Sequence, residues 1–248
     1  MAAMLFYETP VALNRERHRH LKLAPATGQF PFAQRTNSVL LAATELADAA
    51  TSYPVVFVGN AGGPYALAAI VGLSDEQNLF LDADNGWAPD AYIPAFVRRY
   101  PFVLAEDANA GDDLTVCVDE AFPGLNDKDG EPLFDADGQS SPMLNGVIDF
   151  LRLFHTEMRN THEFAKQLGE LDLLTPKVIE VERGGQKQAV DGIYIVDEAK
   201  LRALPDEVLA RLVRNGSMQL IDAHLLSLKR VAGLAARFDR RARATTAV

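Results

Sequence analysis

The chain has 248 residues, 48% of them apolar, which suffices for one large globular domain with a sizeable core. A formal net charge of −10 and an isoelectric point near 5.0 favour solubility and work against a general affinity for polyanions, so no nucleic acid partner is expected. The single cysteine, Cys117, closes no internal disulfide and builds no thiolate metal site. Residues 1–11 lack the basic and apolar segments of a signal peptide, and no run reaches the roughly 18 apolar residues of a membrane span. A cytoplasmic protein with no membrane span is the expectation.

In chain order, residues 15–22 come first, interleaving Arg15, Arg17, Arg19 and Lys22 with His18 and His20. If this stretch is extended, both imidazoles fall on one face, where they would hold a metal given a third ligand from elsewhere. No local third ligand is evident, and a solvated basic strand or anion-contacting edge is the preferred reading. Residues 55–58, 66–72, 78–82 and 114–119 then read as strands, spaced for antiparallel hairpins, with a turn over 74–78. The glycines of 55–69 match neither Gly-x-Gly-x-x-Gly nor a loop followed by Lys-Ser/Thr, so a turn between two strands is expected rather than a nucleotide cradle.

Residues 78–107 hold the only Trp together with Tyr92, Phe96, Tyr100, Phe102 and the adjacent Arg98 and Arg99. Pro94 starts and Pro101 stops any helix there, limiting it to about two turns. On such a turn Phe96 and Tyr100 share a face, so Trp87, Tyr92, Phe96, Arg98, Arg99 and Tyr100 form the candidate binding set, an aromatic groove rimmed by guanidinium groups. The competing reading has the same aromatics sealing the sheet against the helices.

From residue 106 to 137 there are eleven acidic residues against Lys128, whereas 229–243 carries six basic residues against Asp239. Along 114–119, Leu114, Val116 and Val118 alternate with Thr115, Cys117 and Asp119, the pattern of a half-buried strand. Cys117 therefore lies mid-strand, with neither a helix N-terminus nor a triad beside it. The spacing over 127–130 and 135–138 fails the calcium-loop pattern, because Pro132 would occupy the glycine position; both read as Asp-Gly turns.

Beyond residue 140 the period becomes helical. Ser141-Pro142 is a capped start, and Leu144, Ile148, Leu151, Phe154, Met158, Ala165 and Leu168 predict a helix over 142–168. His155 and His162 sit on one polar face of it. A hairpin over 177–196 follows, then a short helix capped by Asp197, and a helix after Pro205 that buries Val208, Leu209, Leu212 and Val213 and ends at Asn215-Gly216. The last helix is predicted over 218–238, with residues 239–248 a disordered basic tail.

Taken in order, YPVVFVG at 53–59, NLFLDADNGWAPDAYIPAFVRRYPF at 78–102, GEPLFDADGQSSP at 130–142, FLRLFHTEMRNTHEFAKQL at 150–168, DGIYIVDEAKLRALPDEVL at 191–209 and MQLIDAHLLSL at 218–228 resemble the bacterial SapC family. That family is named for a protein encoded alongside surface-layer secretion genes. The resemblance implies a link to surface-protein export or peptide modification and supplies no catalytic residues. The resulting expectation is an α+β fold in a single domain over 1–238, β-rich over 1–139 and mainly helical over 140–238. Its expected function is non-catalytic: binding or accessory work on a polypeptide partner, without cofactor or bound metal, with the long or the last helix offering a homo-oligomer face. The alternative is a metal- or cofactor-dependent enzyme assembling His18, His20, Asp82, Asp84 or His155 from distant positions.

Overall fold

Short alternating apolar runs give way to helical periodicity, and the computed structural model, which describes residues 5–26, 28–106, 114–183 and 186–246, is accordingly an α+β protein with antiparallel sheets and a largely helical C-terminal half. Two compact units divide the chain, Met1–Phe32 with Val97–Thr156, and Ala33–Phe96 with Glu157–Val248.

In the first unit, Leu114–Asp119 is the middle strand of an antiparallel sheet between Pro10–Ala12 and Phe102–Glu106. Val118 is fully buried and Val116 packs on the same core of Phe102, Leu133, Phe134, Leu144 and Leu151, but Asp119 on the expected polar face is fully buried too, so the alternation does not divide a buried from a solvated face. Burying each such side chain contributes about 1.5–3 kcal/mol. The strand Phe102–Glu106 lies outside the four strands expected, because the Pro101 that precedes it reads only as a helix stop. A smaller sheet pairs Lys22–Leu23 with Leu125–Asn126 and Glu131–Pro132. Both Asp-Gly segments are turns, closed by Asn126 Oδ1 accepting the N–H groups of Lys128 and Asp129, and by Asp135 Oδ1 accepting those of Asp137 and Gln139. Of the acidic stretch, Asp107, Asp112 and Asp113 lie outside the described residues.

The second unit is built on a five-stranded antiparallel sheet in the order Leu174–Arg183, Gln186–Val196, Val55–Gly59, Tyr65–Ile70, Ser38–Leu40. The glycine-rich stretch after Val58 is thus a hairpin connection. Val55, Val56 and Phe57 are fully buried, as befits a strand with neighbours on both edges. Residues 78–82 do not form the expected strand. Asp82 Oδ1 takes the N–H groups of Asp84 and Gly86, folding the chain into a tight turn that leaves one isolated bridge, Leu81 to Trp87. The apolar run there reports burial of Leu79, Phe80 and Leu81 outside any sheet.

The long helix runs Pro142–Glu170, and its cap is as predicted, with Ser141 Oγ accepting the Leu144 N–H. Asp197 caps Glu198–Arg202 through the N–H groups of Ala199 and Lys200. In Asp206–Arg214 only Leu212 is fully buried and Val213 is 60% exposed, so the expected four-residue stripe is narrower than its composition suggests. The final segment is two helices, Ser217–Ser227 and Val231–Thr246, joined by a 3-10 turn, and the second continues well past Phe238.

Candidate functional site

The candidate binding residues fall in both units. In the second, Trp87 is buried and its Nε1 donates to the hydroxyl of Tyr53 at 2.8 Å; that hydroxyl in turn donates to the Tyr92 carbonyl. Burial pushes the Tyr53 phenol well above its ordinary range, which keeps it a donor. Glu45 fixes the same segment from beneath. Its Oε1 accepts the Tyr92 hydroxyl at 2.8 Å and the Ala95 N–H at 2.6 Å, while Oε2 accepts the Ala42 N–H at 3.0 Å. A buried carboxyl group that accepts from three separate donors is a structural anchor. Phe96 is buried in the four-residue helix Ala95–Arg98, shorter than the two turns that the prolines allow.

In the first unit the two adjacent arginines part company. The Arg99 guanidinium lies 5.8 Å from the Tyr7 ring and 5.5 Å from that of Phe154, and burial lowers its affinity for a proton. Tyr100 stacks on Phe32 at 3.9 Å and donates to Asp119 Oδ2 at 3.2 Å; burial first, then the Asp119 charge, raise its pKa. Asp119 is itself fully buried and accepts the N–H groups of Glu8 and Thr9. Arg98 is exposed, with its guanidinium 5.5 Å over the Phe150 ring. One turn along the same helix, Leu153 is 61% exposed.

The histidines do not assemble. Residues 14–20 form turns rather than a strand: the His18 N–H donates to the Asn14 carbonyl, and the ring is buried with Nδ1 accepting the Asn14 N–H and Nε2 at 3.0 Å from Glu120. His20 is exposed, so the one-face geometry that a strand would give is lost. The His18 hydrogen bond, followed by the Arg17 charge, holds the Glu120 carboxyl below its usual range. Asp82 and Asp84 belong to the turn before Trp87, while His155 is half-buried and His162 exposed. Among the described residues no group of three or more His, Cys, Asp or Glu is arranged to hold a metal. Cys117 is half-buried in its strand, and desolvation raises its pKa, away from nucleophilic use.

Two open recesses lie within the second unit. One, of about 550 Å³, is polar and runs beside Glu157, Asn160, Glu163, Gln167 and Glu170. The other, of about 590 Å³, has Leu79, Leu81, Asp82 and Ala83 on one side and Arg237, Arg240 and Arg241 on the other. The sequence places Arg237 near the end of the last predicted helix and Arg240 and Arg241 in the tail after it, with no site for any of them, whereas all three lie on the helix Val231–Thr246. Glu45 and Tyr53 are not among the sequence's candidates. The Thr44-Glu45 pair inside an apolar run carried the only signal, since Glu three residues after a helix start reaches back to the preceding N–H.

These features describe an α+β protein whose conspicuous aromatic segment is pinned by buried hydroxyl and carboxylate groups. The family model described as SapC matches residues 13–234, and the chain belongs to the SapC family. No curated protein and no solved structure matches it. Among the described residues no helix is long and apolar enough to cross a membrane.

Proposed function

We propose that this SapC-family protein is a non-catalytic binding or accessory protein that acts on a polypeptide partner, in surface-protein export or peptide modification. The observation that carries the reading is in the first unit: an exposed arginine, Arg98, lies over the half-buried Phe150, with the exposed Leu153 one turn along on the same helix. Arginine and aromatic side chains dominate the energetics of protein interfaces, and an apolar neighbour supplies area that association removes from water. In this reading Arg98 touches the partner. Arg99 and Tyr100 hold the backbone beneath it, and Trp87, Tyr92 and Phe96 fix the chain that leads into the Ala95–Arg98 helix.

The test is affinity capture from the native host with wild type, Arg98→Glu and Leu153→Asp proteins, each first shown to melt normally. A polypeptide retained by wild type and reduced about tenfold or more in both variants is expected, a loss matching one disrupted charge-assisted or apolar contact. Equal retention by all three proteins refutes the assignment of this surface.

A further inference from the structure

We infer that the recess between residues 79–83 and the final helix is a binding site for a phosphate-bearing anion, held by Arg240 and Arg241 with Arg237 beside them. The site lies wholly within the second unit and does not rest on the polypeptide reading. Its volume, about 590 Å³, falls in the range of roughly 300–1,000 Å³ typical of small-molecule pockets. Three of its seven lining residues are arginines, and the others pair buried leucines with Ala83 and one acid.

The chain is acidic overall, yet it places six of its 24 lysines and arginines in residues 229–243. Of these, only Arg243 lies in the last turn of the helix Val231–Thr246, where a cation meets the negative end of the dipole. The three recess arginines lie earlier, and two of their guanidinium groups are set in place by other parts of the unit. Arg237 meets both oxygens of Asp90 at 3.1 Å and lies 4.3 Å over the Phe80 ring. Arg241 Nη1 donates to the Asn78 carbonyl at 2.8 Å and reaches that of Leu81 at 3.5 Å. Fixing long cationic side chains before a ligand arrives removes part of the entropic cost of binding. Arg240, by contrast, is exposed and makes no hydrogen bond or ion pair among the described residues. Its charge acts within the unit only at longer range, as the last of the influences on the lowered Asp90 carboxyl.

Three arginines line the recess against one acid, Asp82. Asp82 Oδ1 is engaged by the N–H groups of Asp84 and Gly86, so the carboxylate belongs to the turn and can serve a ligand hydroxyl from its remaining oxygen. Planar guanidinium forks match the oxygens of a phosphate, and the doubly charged group gains more from several arginines than a carboxylate does. Leu79 and Leu81 provide apolar wall for an organic body attached to that phosphate.

The experiment is calorimetric titration of the intact chain at low ionic strength with phenyl phosphate, inorganic phosphate and glutarate. Saturable phenyl phosphate binding is expected, weakened about tenfold or more in Arg240→Ala and unchanged in Arg159→Ala, which removes an exposed charge outside the recess. Tighter binding of phenyl phosphate than of inorganic phosphate assigns the site to a phosphomonoester; equal binding assigns it to free phosphate. Absence of saturable binding by either phosphate overturns the inference. So does equal loss in the two arginine variants, or glutarate binding at least as tightly as phenyl phosphate.

Discussion

His224 is the best place to test the physics of the second unit, because its ring is fully buried between two backbone groups of the sheet. Nε2 accepts the Val196 N–H at 3.1 Å, which requires that nitrogen to be unprotonated, so Nδ1 carries the proton and donates to the Val55 carbonyl at 2.8 Å. Protonating Nε2 would set two donors against each other in a desolvated site. Burial pulls the pKa down from 6.5 to about 4, the Val55 hydrogen bond opposing only weakly. Below pH 6.5 the unfolded imidazole takes up a proton that the folded one refuses until about pH 4. Stability is therefore intact above that window, falls as the pH drops through it, and levels off below. The loss from this group is about 2 kcal/mol by pH 5 and about 3 kcal/mol by pH 4. The perturbation is His224→Gln, which keeps a donor and an acceptor but does not titrate. It costs about 1–3 kcal/mol at pH 7 through imperfect geometry, so the informative quantity is the change with pH. Urea unfolding followed by the fluorescence of Trp87, the sole tryptophan and in the same unit, should show wild type losing about 3 kcal/mol more than the variant between pH 7 and pH 4. Parallel stability curves for the two proteins refute the argument.

Tyr53→Phe removes the hydroxyl that accepts from Trp87 and donates to the Tyr92 carbonyl, and a loss of about 1–3 kcal/mol in chemical denaturation is expected for the two orphaned groups. Gly72→Ala places a Cβ 1.8 Å from the Gln77 carbonyl oxygen, with the Gln77 carbon and Asn37 Cα also closer than 3.4 Å; a melting temperature lower by several degrees is expected, corresponding to at least 1–3 kcal/mol of overpacking (roughly). Of the six tyrosines, Tyr7, Tyr53 and Tyr100 have raised pKa values, with desolvation the leading cause in each and Tyr7 at about 12. Ultraviolet titration should therefore show their ionisation delayed until the chain unfolds, and stability falling as the pH rises from 10 towards 12; six tyrosines ionising together near pH 10 would show that the phenols are not buried as described.

The parts of the fold governed by local chemistry were legible in the sequence. Ser141-Pro142 and Asp197 cap the helices they were expected to cap, and the glycines after Val58 turn one strand into the next. What failed was governed by partners distant in the chain. The short apolar run within 78–82 suggested a strand, but a ladder needs a partner strand, and Leu81 makes only an isolated bridge to Trp87. His18 and His20 shared a face only for an extended chain, and the buried contact with Glu120, more than 100 residues away, belongs to a turn. Tyr53 and Glu45 are unremarkable in sequence because their roles are defined by groups about 30 to 50 residues further on.

The adjacent arginines show why the aromatic segment supported two readings that composition does not separate. Neighbouring residues on a helical turn point in directions about 100° apart, so a pair at 98 and 99 is bound to send its guanidinium groups to different environments. Arg99 goes inward, where Tyr7 and Phe154 flank it and burial disfavours its charge. Removing that group would leave a hole among aromatics and lower stability, whatever the protein binds. Arg98 goes outward over Phe150 and is exposed, a position where substitution usually costs the fold little. Burial and exposure are thus divided between consecutive residues. An experiment that changes both arginines together would confuse them, and only Arg98, changed alone in a protein that still folds, tests whether this exposed surface binds the partner proposed above.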